Sequence, residues 1–239
     1  MCQNFPLFLS LYHKIDCMKF FSTAVLLPLT LLVSLHTKSC KASADPSPGP
    51  VYQPAQGIEK AYFASGCFWC VEAIFETVYG VEEVVSGYAG GTADDANYDA
   101  VSSGATNHAE TVEVFYDPNK ISYSTLLKIF FDSHDATTLN RQGPDSGRQY
   151  RSAIFYQNET EKEAAQQYIS SLYGTGQYAA GTITTTLEKY TGFYPAEAYH
   201  QDYEKLNPNQ PYIRAVSIPR LKKFQTKNPE LLKKTENKH

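Results

Sequence analysis

The residues most able to do chemistry lie together at Gly66-Cys67-Phe68-Trp69-Cys70. Two thiols three positions apart can form a disulfide, share a proton, bind half of a metal site, or pass an oxidised sulfur from one to the other. Which of these occurs depends on what surrounds them. Cys2, Cys17 and Cys40 fall in the first 44 residues, so the rest of the chain keeps Cys67 and Cys70 alone. A disulfide-held secreted scaffold needs more cysteines than that. A zinc site would need two further ligands, to be drawn from His108, His134 and His200. A structural Cys67–Cys70 disulfide closes a very short loop and stabilises little by chain entropy. A thioredoxin-like dithiol exchanger fits the Cys-x-x-Cys spacing. So does a thiol that becomes a sulfenic acid and is resolved by its neighbour.

The elements that must position the pair follow from apolar periodicity. Glu59 to Ala64 reads as a strand running into Gly66. Val71, Ile74, Phe75 and Val78 then recur at i, i+3, i+4 and i+7, one face of a helix, with Gly80 as its stop. Cys67 thus sits at or before a first helical turn, where free N–H groups and the positive end of the helix dipole favour a thiolate. On this basis Cys67 is the expected nucleophile and Cys70 its partner.

Further along, Val81 to Tyr88 and Thr111 to Tyr116 have strand character, and Asp117-Pro118-Asn119 is a turn signal. Ser122 caps a second helix carrying Leu126, Leu127, Phe130 and Phe131. Arg151 to Gln157 is a strand. Asn158 with Glu161 opens a third helix running through Leu172, and Thr182 to Leu187 is rich in β-branched residues. The order strand, helix, strand, strand, helix, strand, helix, strand predicts an α+β fold: a ferredoxin-like two-layer sheet with helices packed on it and a loop-rich C-terminal wrap.

Residues 1–44 read as a targeting segment. Met18-Lys19 gives a short positive start and a candidate true initiation site, Phe20 to Leu35 is mostly apolar, and Ala42-Ser43-Ala44 is a small-x-small cleavage pattern. A competing reading lipidates Cys40, although His36-Thr37-Lys38 fits a lipobox poorly; an uncleaved anchor is the third alternative. Each places the folded part outside the cytosol, in the periplasm or cell envelope. Residues 45–58 form a Pro-rich linker, 59–220 the catalytic domain and 221–239 a polar tail. The formal charge of −4 becomes more negative once the four lysines and one aspartate ahead of Asp45 are set aside. An acidic surface without a basic run argues against nucleic acid as a partner.

The flanks of the cysteine pair carry a resemblance. Gly66-Cys67-Phe68-Trp69 followed by Glu72 is similar to the signature of the methionine sulfoxide reductase A family. The likeness continues through Gly87-Tyr88-Ala89-Gly90-Gly91, Asn97-Tyr98, His108-Ala109-Glu110, His134-Asp135, Arg141-Gln142-Gly143-Pro144-Asp145, Gln149-Tyr150-Arg151-Ser152, Tyr194-Pro195-Ala196-Glu197 and Tyr199-His200-Gln201. It spans about Tyr62 to Pro219. The resemblance implies that Cys67 attacks the sulfoxide sulfur and that Glu110, kept neutral by burial, protonates the departing oxygen. Tyr98 and Tyr150 would hydrogen-bond that oxygen with help from Asp145, and Phe68 and Trp69 would hold the substrate methyl group. His200 reads better as a structural histidine. Cys70 would condense with the Cys67 sulfenic acid, and a thioredoxin-like dithiol would reduce the resulting disulfide. The implied substrates are oxidised methionine-containing proteins, with preference for the S epimer and no cofactor or metal. Many relatives carry recycling cysteines in the C-terminal tail; Leu206 to His239 here has none. Two other classes stay open at this level: a disulfide oxidoreductase acting on protein thiols, and a non-catalytic envelope lipoprotein with a Tyr-rich binding surface.

Overall fold

A computed structural model describes Ser47 and residues 51–234. The targeting segment, Cys40 and the alternative start at Met18 lie outside the described residues. In chain order the elements are β1 (Glu59–Ser65), α1 (Phe68–Glu76), β2 (Val81–Ala89), α2 (Tyr98–Ser102), β3 (Ala109–Tyr116), α3 (Tyr123–Asp132), β4 (Arg141–Gln142), β5 (Asp145–Ser146), β6 (Ser152–Tyr156), α4 (Glu159–Gly174), β7 (Thr186–Lys189), β8 (Phe193–Pro195), α5 (Tyr203–Leu206) and α6 (Ile218–Lys227). A π turn over Ile213–Ser217 leads into α6.

Six strands form one mixed sheet in the order β7-β6-β1-β3-β2-β8, antiparallel except for the β6–β7 pair. β4 and β5 make a separate short hairpin. Strand alternation sorts side chains to two faces. From β1, Ala61 and Phe63 enter the main core with Ile74 and Phe75 of α1 and Leu126, Leu127 and Phe130 of α3. Tyr62 and Ala64 enter a smaller cluster on the opposite face with Ala109, Ala153 and Phe155. In β3, Val112 and Val114 belong to the α1 face, so the same parity aims Glu110 at α1. The register of β3 therefore delivers an acid to the helix that carries both cysteines.

Local chemistry explains the element ends. Ser122 accepts a hydrogen bond from the Thr125 N–H at the start of α3, and Asn158 accepts one from the Glu161 N–H at the start of α4. The Glu161 carboxylate then caps the Gln157 N–H at 2.7 Å instead of closing a reciprocal box on Asn158. Between β1 and α1 the chain turns at Gly66, whose φ of +93° suits glycine and whose missing Cβ would lie 2.5 Å from Gln142 Cβ.

Three features differ from the sequence expectation. The residues after Pro195 are not a loop-rich wrap: α5, the π turn and α6 make much of that stretch helical. The boundary at 220 falls inside α6, and residues 221–234 are not a polar tail. Phe224 is fully buried, Leu221 packs on the core, and Leu232 bridges to Val78. Burial of those few apolar side chains outweighs the lysine-rich surface around them. The strand expected over Thr182 to Leu187 forms at Thr186–Lys189, later than the β-branched run suggests, and a further strand of the sheet, β8, follows it.

Candidate active site

Cys67 is the residue before the first turn of α1, and its carbonyl accepts from the N–H groups of Cys70 at 3.1 Å and Val71 at 3.3 Å. Its side chain does not cap the helix. Glu110 does so instead, its Oε2 accepting from the Phe68 N–H at 3.1 Å. Both cysteines are free thiols, and both are buried.

Burial pushes Cys67 well above the ordinary thiol range, and pairing with Cys70 raises it further. Cys70 is brought down to about 6, first by the hydrogen bond it receives from Cys67, then by the charge of Arg220 and hydrogen bonds from Ser217 and Tyr212, with burial opposing. Burial thus opposes, at Cys67, the thiolate that the start of α1 favours, while Arg220 and the neighbouring donors favour charge on Cys70. The two sulfurs titrate as a pair.

A pocket of about 210 Å³ opens over Cys67, lined by Phe68, Trp69, Tyr98, Glu110, Asp145, Tyr150, Gln210 and Tyr212. It brings together every site residue named from the sequence except Cys70, which lies behind it. Burial raises Glu110 to about 8, against the hydrogen bond from Phe68 that lowers it, so this carboxyl is largely protonated at neutral pH. Burial and the nearby Glu110 charge also raise Tyr98, to about 12, which keeps its phenol a donor. Tyr150 is raised for the same reasons.

Each wall residue is held from behind. Asn97 caps α2 through the Ala100 N–H, and Glu197 accepts from the Tyr98 N–H at 2.9 Å and from Tyr88 Oη at 2.8 Å. Tyr150 ends a 3₁₀ turn whose Gln149 donates to the Ser102 carbonyl at 3.0 Å. Trp69 stacks on Tyr203 at 3.8 Å between ring centroids, and its indole N–H donates to His200 Nδ1 at 3.1 Å. Burial lowers His200 to about 4. It is neutral and supports Trp69, in keeping with a structural histidine. His108 and His134, the other candidate zinc ligands, bond to the Thr92 carbonyl and to the Phe130 carbonyl and Ser152 Oγ.

Tyr212 and Arg220 were not anticipated. Tyr212 Oη donates to Asp145 Oδ2 at 2.6 Å and lies 3.8 Å from Cys70 Sγ. Arg220 donates to the carbonyls of Ser133 and Ser65 beside the cysteine turn. Nothing in the Asn207-Pro208-Asn209-Gln210-Pro211-Tyr212 run signals a return to the site.

The profile of a family described as peptide methionine sulfoxide reductase matches residues 59–232. The chain belongs to the peptide methionine sulfoxide reductase family. The reaction it catalyses is thus reduction of methionine sulfoxide to methionine, an oxidoreductase activity. A Synechocystis reductase, MsrA 2, is 50% identical over 185 residues, covering 77% of this chain and 86% of its own. A Picrophilus torridus reductase, MsrA, is 49% identical, covering 70% and 93%. Among solved structures, methionine sulfoxide reductase A of Corynebacterium diphtheriae superposes with a TM-score of 0.59 at 34% identity, covering 69% of this reductase and 84% of its own chain. Reduced Mxr1 from Saccharomyces cerevisiae gives 0.61 at 32%, covering 66% and 90%.

Proposed function

We propose that this protein reduces the S epimer of methionine sulfoxide in oxidised proteins, with Cys67 as nucleophile, Glu110 as acid and Cys70 as resolving thiol. The observation that carries the reading is the shared pocket of Cys67 and a buried carboxyl that is still protonated near neutral pH. With Phe68 N–H bound to Oε2 of Glu110, the other oxygen is left to present the proton.

The pair holds one proton between two sulfurs, so moving it from Cys67 to Cys70 makes a Cys67 thiolate without exchange with solvent. That thiolate attacks the sulfoxide sulfur while Tyr98 and Tyr150 donate to its oxygen and Asp145 shapes the wall beside them. Preorganised donors of this kind act where charge develops. Glu110 gives its proton to the oxygen, which ends on Cys67 as a sulfenic acid, and methionine leaves. Phe68 and Trp69 supply the apolar surface for the methyl group. The Cys70 thiol then attacks the sulfenic sulfur, water departs, and a Cys67–Cys70 disulfide forms. A thioredoxin-like dithiol returns it to two thiols by exchange. The role fitted by this cycle is repair of proteins after oxidative stress.

The path β1-α1-β2-β3-α3-β6, with sheet order β6-β1-β3-β2, supports reading the centre as a ferredoxin-like core extended by β7 and β8. Export to the periplasm or envelope rests on residues 1–44, with cleavage after Ala44 and lipidation of Cys40 as alternatives that N-terminal sequencing of mature protein separates.

The deciding experiment supplies S and R methionine sulfoxide separately to the purified protein with dithiothreitol. Consumption of the S epimer alone, lost in Cys67→Ser, is expected. Consumption of neither, with Cys67 and Cys70 still redox-active, would instead favour a disulfide oxidoreductase.

A further inference from the structure

A second buried carboxyl, which the proposed cycle does not use, stands three residues beyond Trp69 on α1. Glu72 is only 3% exposed, and it joins α1 to two other segments. Its Oε2 accepts from Ser86 Oγ on β2 at 2.8 Å, and its Oε1 accepts from the Asp202 N–H at 3.0 Å, 130 residues along the chain. Gln201 ties the same late segment to the same strand: its Oε1 accepts from the Ser86 N–H at 2.9 Å, and its Nε2 donates to the Ser86 carbonyl at 3.0 Å. Burial raises Glu72 to about 8, with the hydrogen bonds from Asp202 and Ser86 opposing, so the group is largely uncharged at neutral pH. It acts there through hydrogen bonds and not as an ion-pair partner.

The residue it holds is Asp202, whose φ of +52° lies in the left-handed region that few residues with a side chain adopt. Asp202 directly precedes α5, and the first residue of α5, Tyr203, stacks on Trp69 with the ring planes 10° apart. The indole needs that stack. Trp69 lines the pocket over Cys67, and it also lines a cavity of about 410 Å³ whose walls include Glu72, Ala73, Asp202 and Leu221. A ring shared by two cavities is not fixed by close packing on every side. The hydrogen bond to His200 fixes one edge of it, and Tyr203 fixes a face.

We propose that Glu72 is a positioning residue for substrate binding: by holding Asp202 it sets Tyr203 against Trp69, and so keeps the indole forward as the wall that receives the sulfoxide's methyl group. The inference rests on the methionine sulfoxide reading above. Glu72 touches neither substrate nor sulfur, so its loss weakens binding and leaves the Cys67 and Glu110 chemistry in place.

The test follows single turnovers of the prereduced full chain on S methionine sulfoxide and reads a limiting rate and a half-saturating concentration. Glu72→Leu removes both acceptors; it is expected to raise the half-saturating concentration about tenfold while the limiting rate stays within about threefold of the parent. Glu72→Gln keeps an acceptor for the Asp202 N–H and should bring the half-saturating concentration back to within about twofold of the parent. Tyr203→Leu should match Glu72→Leu, and combining the two should add little, because both release the same ring. A half-saturating concentration unchanged in Tyr203→Leu overturns the proposal, even where Glu72→Leu fails to fold. So do effects that multiply in the double variant, or Glu72→Gln as impaired as Glu72→Leu. If the parent forms no methionine, the activity reading fails instead. A crystal structure of Glu72→Leu then judges the placement: Trp69 displaced toward the rear cavity is expected, and an unmoved Trp69 overturns it.

Discussion

Glu110 caps the helix of the cysteine pair: its carboxyl accepts the Phe68 N–H at 3.1 Å, from a strand 42 residues along the chain. One contact thus fixes both the acid and the first turn that follows Cys67. Since burial raises this carboxyl to about 8, the acid form is present below that pH and is lost as pH rises through it. The thiol pair loses its first proton near 6, as Cys70 ionises. Single-turnover methionine formation should therefore rise through about 6 and fall through about 8. Glu110→Gln should lower the maximum by about a hundredfold or more and erase the alkaline limb. Stopped-flow rates between pH 5 and 9.5 check this, and an alkaline limb retained in the variant would rule Glu110 out as the acid.

Cys70 lies behind the pocket wall and takes the Cys67 proton, so its loss should slow the first step without abolishing it. Cys70→Ser is expected to yield one methionine per enzyme, more slowly than the parent, then stall with thioredoxin as reductant. Full multiple turnover by this variant would remove Cys70 from the cycle.

The phenols of Tyr98 and Tyr150 are held as donors by burial beside Glu110. Replacing either with phenylalanine should reduce kcat by about a hundredfold while KM changes little, the signature of contacts made mainly in the transition state. A rise in KM alone would recast them as binding residues.

Gly66 permits the turn between β1 and α1. Gly66→Ala adds a Cβ that meets Gln142 at 2.5 Å and forces alanine to φ +93°. A loss of about 2 kcal/mol or more in urea unfolding is expected, and a change within error would show that the turn relaxes.

Phe224 tests the packing of α6. Phe224→Ala should cost about 3–5 kcal/mol, as for other buried aromatics, although a polar tail would tolerate it. Thermal unfolding of the two proteins gives the comparison.

Much of this architecture was readable from local signals. β1, α1, α3 and α4 carry strong periodicity or a cap, and the strand-to-helix position of Cys67 follows from Gly66 and the Val71-Ile74-Phe75-Val78 face. Parity along β3 could also have aimed Glu110 at α1. The charge state of the pair was not readable, because it depends on Cys67, Cys70, Tyr212, Ser217 and Arg220 converging from distant segments. α6 was missed because Ile218, Leu221 and Phe224 form a thin apolar stripe among lysines. α2 was missed because five residues give too little period to detect, although Asn97 was there as its cap.

Trp69 is the chain's one tryptophan, and it is stacked on Tyr203, bound to His200 and set in the wall of the pocket over Cys67. The protein therefore carries its own optical probe. Its emission should change when sulfoxide enters and again when the disulfide three bonds of chain away closes beside it. Binding, oxidation and recycling can then be followed in real time on unlabelled protein.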